Sequence, residues 1–254
     1  MNRLAFRLGS TSYVYPADIL TNVKRLAALV DDIQLLLYQA DSINELLDKD
    51  TLTTLKQLAY NNALTYTVHL PLDLKLGNED YNIRIQSIKK IQKVIEKVKV
   101  LNPFAYTIHL NANSTNDWNL WQKYCIESLK YIANICGGPQ MLTIENMPDY
   151  AIERLDPILN DYLFGFCLDV GHIWSHKQDP IPYFKKWKDC IRVIHLHGVQ
   201  KRDHASIEHI PRKEIYNLLD IISKHNFSGV ITLELFSEKD FFISKKIIDE
   251  WLLL

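Results

Sequence analysis

Eight short apolar runs alternate with longer amphipathic segments along the whole chain, and this alternation limits the fold more than any other feature. The runs are almost continuously apolar, which is typical of parallel strands that are covered on both faces. We therefore predict one strand in each run, at residues 6–12, 32–38, 64–70, 104–110, 141–146, 163–169, 191–197 and 230–235.

The segments between the predicted strands have the periodicity of helices. In residues 79–101, isoleucine and valine recur at steps of three and four, the spacing of one helix face. The other predicted helices are residues 16–30, 43–61, 115–136, 148–160, 180–187, 211–225 and 238–253. Because proline is tolerated in the first turn of a helix, we expect Pro16, Pro148 and Pro211 at helix starts.

Eight β–α units in 254 residues predict an α/β fold, a single (β/α)₈ TIM barrel formed by residues 1–254. A doubly wound open sheet is the alternative. The stretch GSTSYVYP, which overlaps the end of the first predicted strand, lacks the GxGxxG loop of nucleotide-binding folds, which disfavours that sheet. Two similar strands, YTVHL and YTIHL, indicate a repeated unit.

Charge and cysteine spacing restrict the class of protein. The chain has 29 Lys+Arg and 30 Asp+Glu, and its net charge of -1 gives no general attraction to nucleic acid or anionic membranes. The four cysteines are far apart, so we expect free thiols in a reducing compartment. No apolar run approaches the ~20 residues that span a bilayer, and we predict a cytoplasmic protein.

Carboxylates and imidazoles stand at the ends of six consecutive predicted strands, the third to the eighth. In a TIM barrel, these ends and the loops after them form the mouth where chemistry occurs. The residues are His69, His109, Glu145, Asp169 with His172, His195 with His197, and Glu234, and Asp203 and His204 follow in the loop after the seventh strand.

The end of the sixth predicted strand reads FCLDVGHIW, residues 166–174. We expect Asp169 to face the mouth from the strand end. A turn at Gly171 is expected to bring His172 over the same mouth, without a helix being needed.

Taken singly, each of these side chains has a structural explanation, such as a hydrogen-bonded histidine or a helix-capping aspartate. Taken together, they would bury many charges in one barrel mouth, which is costly when the charges are unpaired. Divalent cations neutralise such a group of side chains. Mixed imidazole and carboxylate ligands suit zinc, manganese or ferrous iron, and the sequence does not choose among them.

The order of these residues resembles the endonuclease IV and xylose-isomerase-like superfamily, whose members are TIM barrels with metal at the mouth. The sugar isomerase and epimerase branch holds one metal ion, and the corresponding ligands here are Glu145, Asp169, His195 and Glu234. The phosphoesterase branch holds two or three ions. The resemblance to it implies the ligand set His69, His109, Glu145, Asp169, His172, His195, His204 and Glu234.

The presence of all the additional histidines favours hydrolysis of a phosphodiester. The resemblance then implies catalytic roles for three carboxylates, namely Glu145, Asp169 and Glu234. We also expect substrate contacts from His197, Arg202 and Asp203. Where the family has Asp-x-His after the seventh strand, this chain has Asp203 next to His204, so a metal-ligand role for Asp203 is left open.

Two N-terminal stretches, residues 9–39 and 64–77, resemble the cobamide-remodelling phosphodiesterases of bacteria, the CbiR family. That resemblance implies a small-molecule substrate, the nucleotide loop of a cobamide, rather than nucleic acid or a membrane. A cobamide would need a wide, partly apolar mouth, for which the loops offer Tyr13, Tyr15, Tyr38, Leu72, Leu74 and Trp174.

Two other functions remain open at this point. The first is isomerisation or epimerisation of a sugar or sugar phosphate, with Glu145 and Glu234 as the acid–base pair. The second is a binding barrel without catalysis. The number of metal ions separates the two enzymes, because one ion per chain favours the isomerase and two or more favour the phosphodiesterase.

Overall fold

The computed structural model describes residues 5–38, 41, 43–112, 117–201 and 203–254. In this part of the chain, eight parallel strands form a closed barrel in sequence order, and β1 pairs with β8. The strands are β1 Arg7–Thr11, β2 Asp32–Leu36, β3 Thr65–His69, β4 Tyr106–Ile108, β5 Leu142–Glu145, β6 Gly165–Asp169, β7 Ile191–Leu196 and β8 Val230–Leu233. The closed sheet confirms the predicted TIM barrel and excludes the open sheet.

The α-helices of the described residues lie between or after the strands. They are α1 Ile19–Leu26, α2 Ile43–Leu46, α3 Lys49–Asn62, α4 Tyr81–Val98, α5 Trp118–Cys136, α6 Asp156–Tyr162, α7 Val170–Ser175, α8 Pro180–Trp187, α9 Arg212–Lys224 and α10 Glu238–Trp251. The predicted periodicity of residues 79–101 corresponds to α4, which buries one face in the main apolar core. No helix in the described ranges is both long and apolar enough to cross a membrane.

Capping side chains, more often than prolines, determine where the helices begin. Asp18 accepts a hydrogen bond from a backbone N–H of the first turn, so α1 begins three residues after Pro16. The stretch after Pro148 is a loop and a 3₁₀ turn, and α6 begins only later. Two of the three proline predictions are therefore wrong, whereas Pro211 does directly precede α9.

Capping also explains two other differences from the predicted helices. The predicted helix at residues 43–61 is divided into α2 and α3, because Asp48 caps a new helix start. Asp117 caps α5 in the same way, so that helix begins at Trp118. The predicted start of this helix, Thr115, lies outside the described residues.

The N-terminal end of the barrel contains a partly buried polar group that we name the N-terminal cluster: Arg7, Asp32, Thr65 and Thr67. The hydroxyl groups of Thr65 and Thr67 donate to the two carboxylate oxygens of Asp32 at 2.6 and 2.8 Å. Arg7 donates to Thr65 at 3.2 Å, and its guanidinium lies over the ring of Phe104. These contacts join β1, β2 and β3 at the end of the barrel opposite the strand-end histidines.

Candidate metal centre

At the C-terminal mouth of the barrel, the strand ends and the loops after them bring the predicted carboxylates and imidazoles into three neighbouring groups of donor atoms. In each group, one donor atom per residue lies within 4.8 Å of the others. The first cluster is His69, His109 and Glu145; the second cluster is Glu145, Asp169, His195 and Glu234; the third cluster is His172, His197, Asp203 and His204. Glu145 therefore belongs to two clusters.

The first cluster has the spacing of a metal site. Nε2 of His69 lies 3.1 Å from Nε2 of His109, and Oε2 of Glu145 lies 3.3 and 3.2 Å from these two atoms. Donor atoms at about 2.0–2.1 Å from a tetrahedral ion lie about 3.3–3.4 Å apart, so this triangle fits one cation. Nδ1–H of His69 donates to the carbonyl oxygen of Leu70 at 2.9 Å, which leaves the Nε2 lone pair free for a metal.

The second cluster brings three buried carboxylates close to one nitrogen of a buried imidazole. Nδ1 of His195 lies 2.9 Å from Oε2 of Glu234, 3.4 Å from Oε2 of Glu145 and 3.6 Å from Oδ2 of Asp169. Apart from this 2.9 Å contact with each other, Nδ1 of His195 and Oε2 of Glu234 have no hydrogen-bond partner within the described residues. Three buried carboxylates thus converge on one imidazole nitrogen, and such a group of buried charges fits a site for a cation.

Helix α7 positions Asp169 and His172. Oδ1 of Asp169 accepts a hydrogen bond from the backbone N–H of His172 at 2.7 Å and so caps this short helix. The expectation that no helix is needed here is wrong, because the two side chains are related by one helical turn. Nδ1–H of His172 donates to the carbonyl oxygen of Asn146 at 2.8 Å, and Nε2 then faces Oδ2 of Asp203 at 3.5 Å.

Gly171 makes room for an imidazole instead of forming a turn. A Cβ atom at this position would overlap three ring atoms of His197. The ring of His197 is fully buried; its Nε2 lies 3.2 Å from Oδ1 of Asp169, and its Nδ1 lies 3.3 Å from Oδ1 of Asp203. His197 therefore links the second and third clusters and presents no exposed surface to a substrate.

Asp203 and His204 both reach the third cluster although they are adjacent in sequence. His204 has a φ of 52°, in the left-handed region, where histidine is one of the more frequent residues other than glycine. Paired backbone hydrogen bonds of 2.7 and 3.0 Å between Gly198 and Ala205 close the base of this loop. Although Asp203 and His204 are adjacent in sequence, Asp203 therefore still faces the third cluster. Arg202, which precedes them in the same loop, lies outside the described residues.

The imidazoles keep the carboxylates of the second cluster ionised. Burial alone would raise the pKa of Glu145, but the positive charges of His109 and His195 outweigh it and hold that pKa well below its ordinary value. Burial would also raise the pKa of Glu234, and His195 again reverses the direction. At neutral pH both glutamates are therefore negatively charged donors.

Imidazoles of the third cluster keep Asp169 ionised in the same manner. Burial would raise the pKa of Asp169, but His172 and His197 lower it well below its ordinary value. Burial would lower the pKa of His172, whereas Asp169 and the hydrogen bond with Asp203 raise it to about 10. The protein without metal thus balances its carboxylates with protons on the imidazoles, and divalent cations can replace those protons.

Cys167 and Gln34 were not predicted as parts of the centre, because they lie inside strands and not at strand ends. Cys167 of β6 has its sulfur beside donor atoms of Glu145 and His195, but burial raises its pKa to about 12, so it remains a thiol. Gln34 of β2 places its amide Nε2 2.9 Å from Nε2 of His195. A glutamine within the apolar run DIQLLL was the sequence signal for this contact.

A cavity of about 530 Å³ opens beside the clusters, and we name it the aromatic cleft. Its lining residues are Tyr13, Val14, Tyr15, Pro16, Tyr38, Phe236, Ser237 and Glu238. The ring of Phe236 lies 5.1 Å from that of His204, and the rings of Tyr13 and Tyr38 are 5.6 Å apart. No lysine or arginine is among the described lining residues. Of the other side chains offered for the mouth, Leu74 and Trp174 are buried in packing positions, and Tyr15 of the cleft is also largely buried.

Comparison with known proteins finds one matching family and relatives of moderate similarity. The family described as the xylose isomerase-like TIM barrel matches residues 24–252. "Probable endonuclease 4" of Mycobacterium bovis (strain BCG / Pasteur 1173P2) is 25% identical over 207 residues, which cover 76% of this chain and 77% of that protein.

Two solved structures have the same fold. A D-tagatose 3-epimerase-like protein superposes with a TM-score of 0.80 and 20% identity, covering 98% of this chain and 97% of its own. Endonuclease IV from Thermus thermophilus superposes with a TM-score of 0.71 and 16% identity, covering 97% of this chain and 99% of its own. At these identities the likeness is one of fold.

Proposed function

The chain belongs to the xylose isomerase-like TIM-barrel family, and from this membership we propose that it is a metal-dependent phosphodiesterase that acts on a small cofactor. One observation carries the proposal. The first cluster adds His69 and His109 to a centre whose second cluster already offers four donors to one ion. A one-metal isomerase does not need this additional triangle of donor atoms.

The three clusters are suited to two or three divalent ions of zinc, manganese or iron, which imidazole and carboxylate ligands accept. Such ions lower the pKa of bound water and neutralise the charge that develops on a transferring phosphoryl group. Glu145 would hold the first two sites at a fixed spacing, because its Oε2 faces His69 and His109 on one side and His195 on the other.

The protein orients its carboxylates through backbone contacts. Asn146 accepts a hydrogen bond from the backbone N–H of Asp169 at 2.8 Å and donates to its carbonyl oxygen at 2.9 Å. The same Asp169 uses Oδ1 to cap α7, so its Oδ2 points at His195 in one orientation. On this proposal, Glu145 or Asp169 would orient the attacking water, and Glu234 would bind metal beside them.

The aromatic cleft supports a small, flat substrate over a nucleic-acid strand. Its described lining carries one carboxylate, Glu238, and no cation, whereas binding of a phosphate backbone relies on Lys and Arg. Tyrosine and phenylalanine rings instead bind flat, weakly charged groups by stacking. A cobamide combines a broad flat ring system with one phosphodiester, and we propose it as the first substrate to test.

An epimerase is the second candidate, and one feature of the second cluster favours it. Oε2 atoms of Glu145 and Glu234 both face Nδ1 of His195, so two buried carboxylates approach one site from two strands. Such a pair can remove and return a proton at a substrate carbon. On this alternative, the first cluster would bind sugar hydroxyl groups in place of a metal ion.

Metal content and two assays distinguish these candidates. Protein loaded with Zn²⁺ or Mn²⁺ is expected to hold at least two ions per chain by elemental analysis. It is expected to convert adenosylcobalamin or pseudocobalamin to a cobinamide-type product, detected by liquid chromatography. The variant His109→Ala should lose one ion and this activity, while leaving Glu145 and Glu234 in place. One ion per chain, with deuterium exchange into a keto sugar that survives in His109→Ala, would instead establish the epimerase.

A further inference from the structure

Gln34 touches a predicted metal ligand from inside the barrel. It lies in the middle of β2, and both its side chain and that of His195 on β7 are fully buried. Nε2 of Gln34 lies 2.9 Å from Nε2 of His195. This is the ring nitrogen that faces away from the second cluster, because Nδ1 faces Glu234 and Glu145.

The amide orientation decides which nitrogen of His195 carries a proton. If the Gln34 amide N–H donates to Nε2, the proton of a neutral imidazole must sit on Nδ1, among the carboxylates. The other amide position of Gln34, that of Oε1, is buried without a hydrogen-bond partner and is unpaired in either orientation, so it does not select one of them.

A half-turn of the amide exchanges its oxygen and nitrogen within the same shape. The oxygen then accepts a hydrogen bond from Nε2–H of His195, and the Nδ1 lone pair is free to face the second cluster. The hydroxyl of Thr107 lies 3.4 Å from the same amide position, and it can donate to that oxygen when the hydroxyl of Thr143, 3.0 Å away, donates to Thr107.

Two other histidines of the centre already follow this rule. Nδ1–H of His69 donates to the carbonyl oxygen of Leu70, and Nδ1–H of His172 donates to that of Asn146. In both, a carbonyl oxygen accepts the Nδ1 proton and Nε2 faces the donor atoms of the residue's own cluster, as is usual for histidines that bind metal, although Nδ1 of His172 also lies 3.4 Å from Oδ2 of Asp169. His195 follows the same rule only if Gln34 presents its carbonyl oxygen.

We propose that Gln34 is a positioning residue, which accepts the Nε2 proton of His195 and thereby directs the Nδ1 lone pair to a divalent cation in the second cluster. The inference rests on the metal centre of the proposed function but not on the bond that is cut. The second cluster is the part of the centre that the phosphodiesterase and the epimerase have in common.

Two variants separate the role of an acceptor from that of a donor. Gln34→Glu retains hydrogen-bond acceptors and, when ionised, has no donor, whereas Gln34→Met has a similar length and neither group. The affinity for Zn²⁺ is measured by competition with a chelating dye, and the ion count by elemental analysis. We expect Gln34→Met to bind one ion about 10–100-fold more weakly and Gln34→Glu to bind within a few-fold of the wild type. Equal losses in both variants, or wild-type affinity in Gln34→Met, would overturn the proposal.

The tautomer of His195 provides a test that needs no variant. In Zn²⁺-loaded wild-type protein, long-range ¹H–¹⁵N NMR should show the His195 proton on Nε2, and a proton on Nδ1 would contradict the inference. Circular dichroism of the metal-free variants controls for folding. Because these measurements record metal binding and not turnover, failure of cobamide cleavage alone would leave this inference standing while rejecting the proposed function.

Discussion

The two ends of the barrel bury carboxylates in opposite electrostatic settings. In the N-terminal cluster, Asp32 accepts hydrogen bonds from Thr65 and Thr67, but burial dominates and raises its pKa to about 6. At the mouth, Glu145 is just as fully buried, yet the imidazoles around it hold its pKa well below the ordinary value.

The difference lies in the neighbours and not in the depth of burial. Hydroxyl groups are neutral donors, and the guanidinium of Arg7, whose hydrogen bond goes to Thr65, also lowers the pKa of Asp32; together they offset only part of the cost of removing the charge from water. Imidazoles can carry a full positive charge, so they favour the ionised carboxylate. A buried carboxylate among hydroxyls is thus a structural element, whereas one among imidazoles is a donor from which cations can displace protons.

The same chemical change at both ends tests this contrast most strongly. Glu145→Gln should lose at least one metal ion and lower turnover by about 10³-fold or more, because a ligand shared by two sites is worth several kcal/mol. Asp32→Asn should keep its metal ions and keep turnover within a few-fold. Elemental analysis and steady-state assays of both variants measure the difference.

Chelation provides the control for this pair. A chelator should lower the melting temperature of the wild type and of Asp32→Asn, since ions at a thousand times their Kd contribute about 4 kcal/mol to stability. In Glu145→Gln the same treatment should have a much smaller effect. Loss of ions from Asp32→Asn, or their full retention in Glu145→Gln, would remove the proposed distinction between the two ends.

Gly171→Ala should have the next largest effect, because its methyl group would overlap the ring of His197. Overpacking of this kind costs about 1–3 kcal/mol, and displacement of the ring should also weaken the third cluster. Denaturant unfolding and the Zn²⁺ count measure the two consequences. In Gly171→Ala/His197→Ala the overlap is absent, so the losses should be less than additive. Fully additive losses would mean that Gly171 does not make room for His197.

The strand-end residues could be predicted because each is fixed by the local pattern of its own strand. An apolar run followed by His69 or Glu145 identifies a barrel strand and its mouth without knowledge of any other part of the chain. The contact between Gln34 and His195 could not be predicted in this way. It joins residues 161 positions apart, and it depends on how the closed barrel brings two strands face to face.

Helix α7 shows a second reason for error. Asp169 was correctly expected at a strand end. Its Oδ1 caps the helix while its Oδ2 faces His195, and the sequence does not reveal this division between the two oxygens. The role of Gly171 was hidden for the same reason as that of Gln34, because the ring it accommodates comes from another strand.

The smallest predicted effect is the pH dependence that Asp32 gives to folding. Its pKa of about 6 in the folded protein is raised above that of an unfolded aspartate, so the folded chain keeps a proton that the unfolded chain releases. The stability from the neutral carboxyl is complete below the unfolded pKa and is lost as the pH rises through about 6. Between pH 5 and 7 the free energy of unfolding should therefore fall by about 1 kcal/mol through this group, and Asp32→Asn should lack that component.

Urea unfolding of the wild type and of Asp32→Asn at the two pH values isolates this component, because titration of the mouth affects the two proteins equally. A difference between them that does not change with pH would show that Asp32 is ionised in the folded state at pH 5, and the contrast between the two ends of the barrel would then disappear.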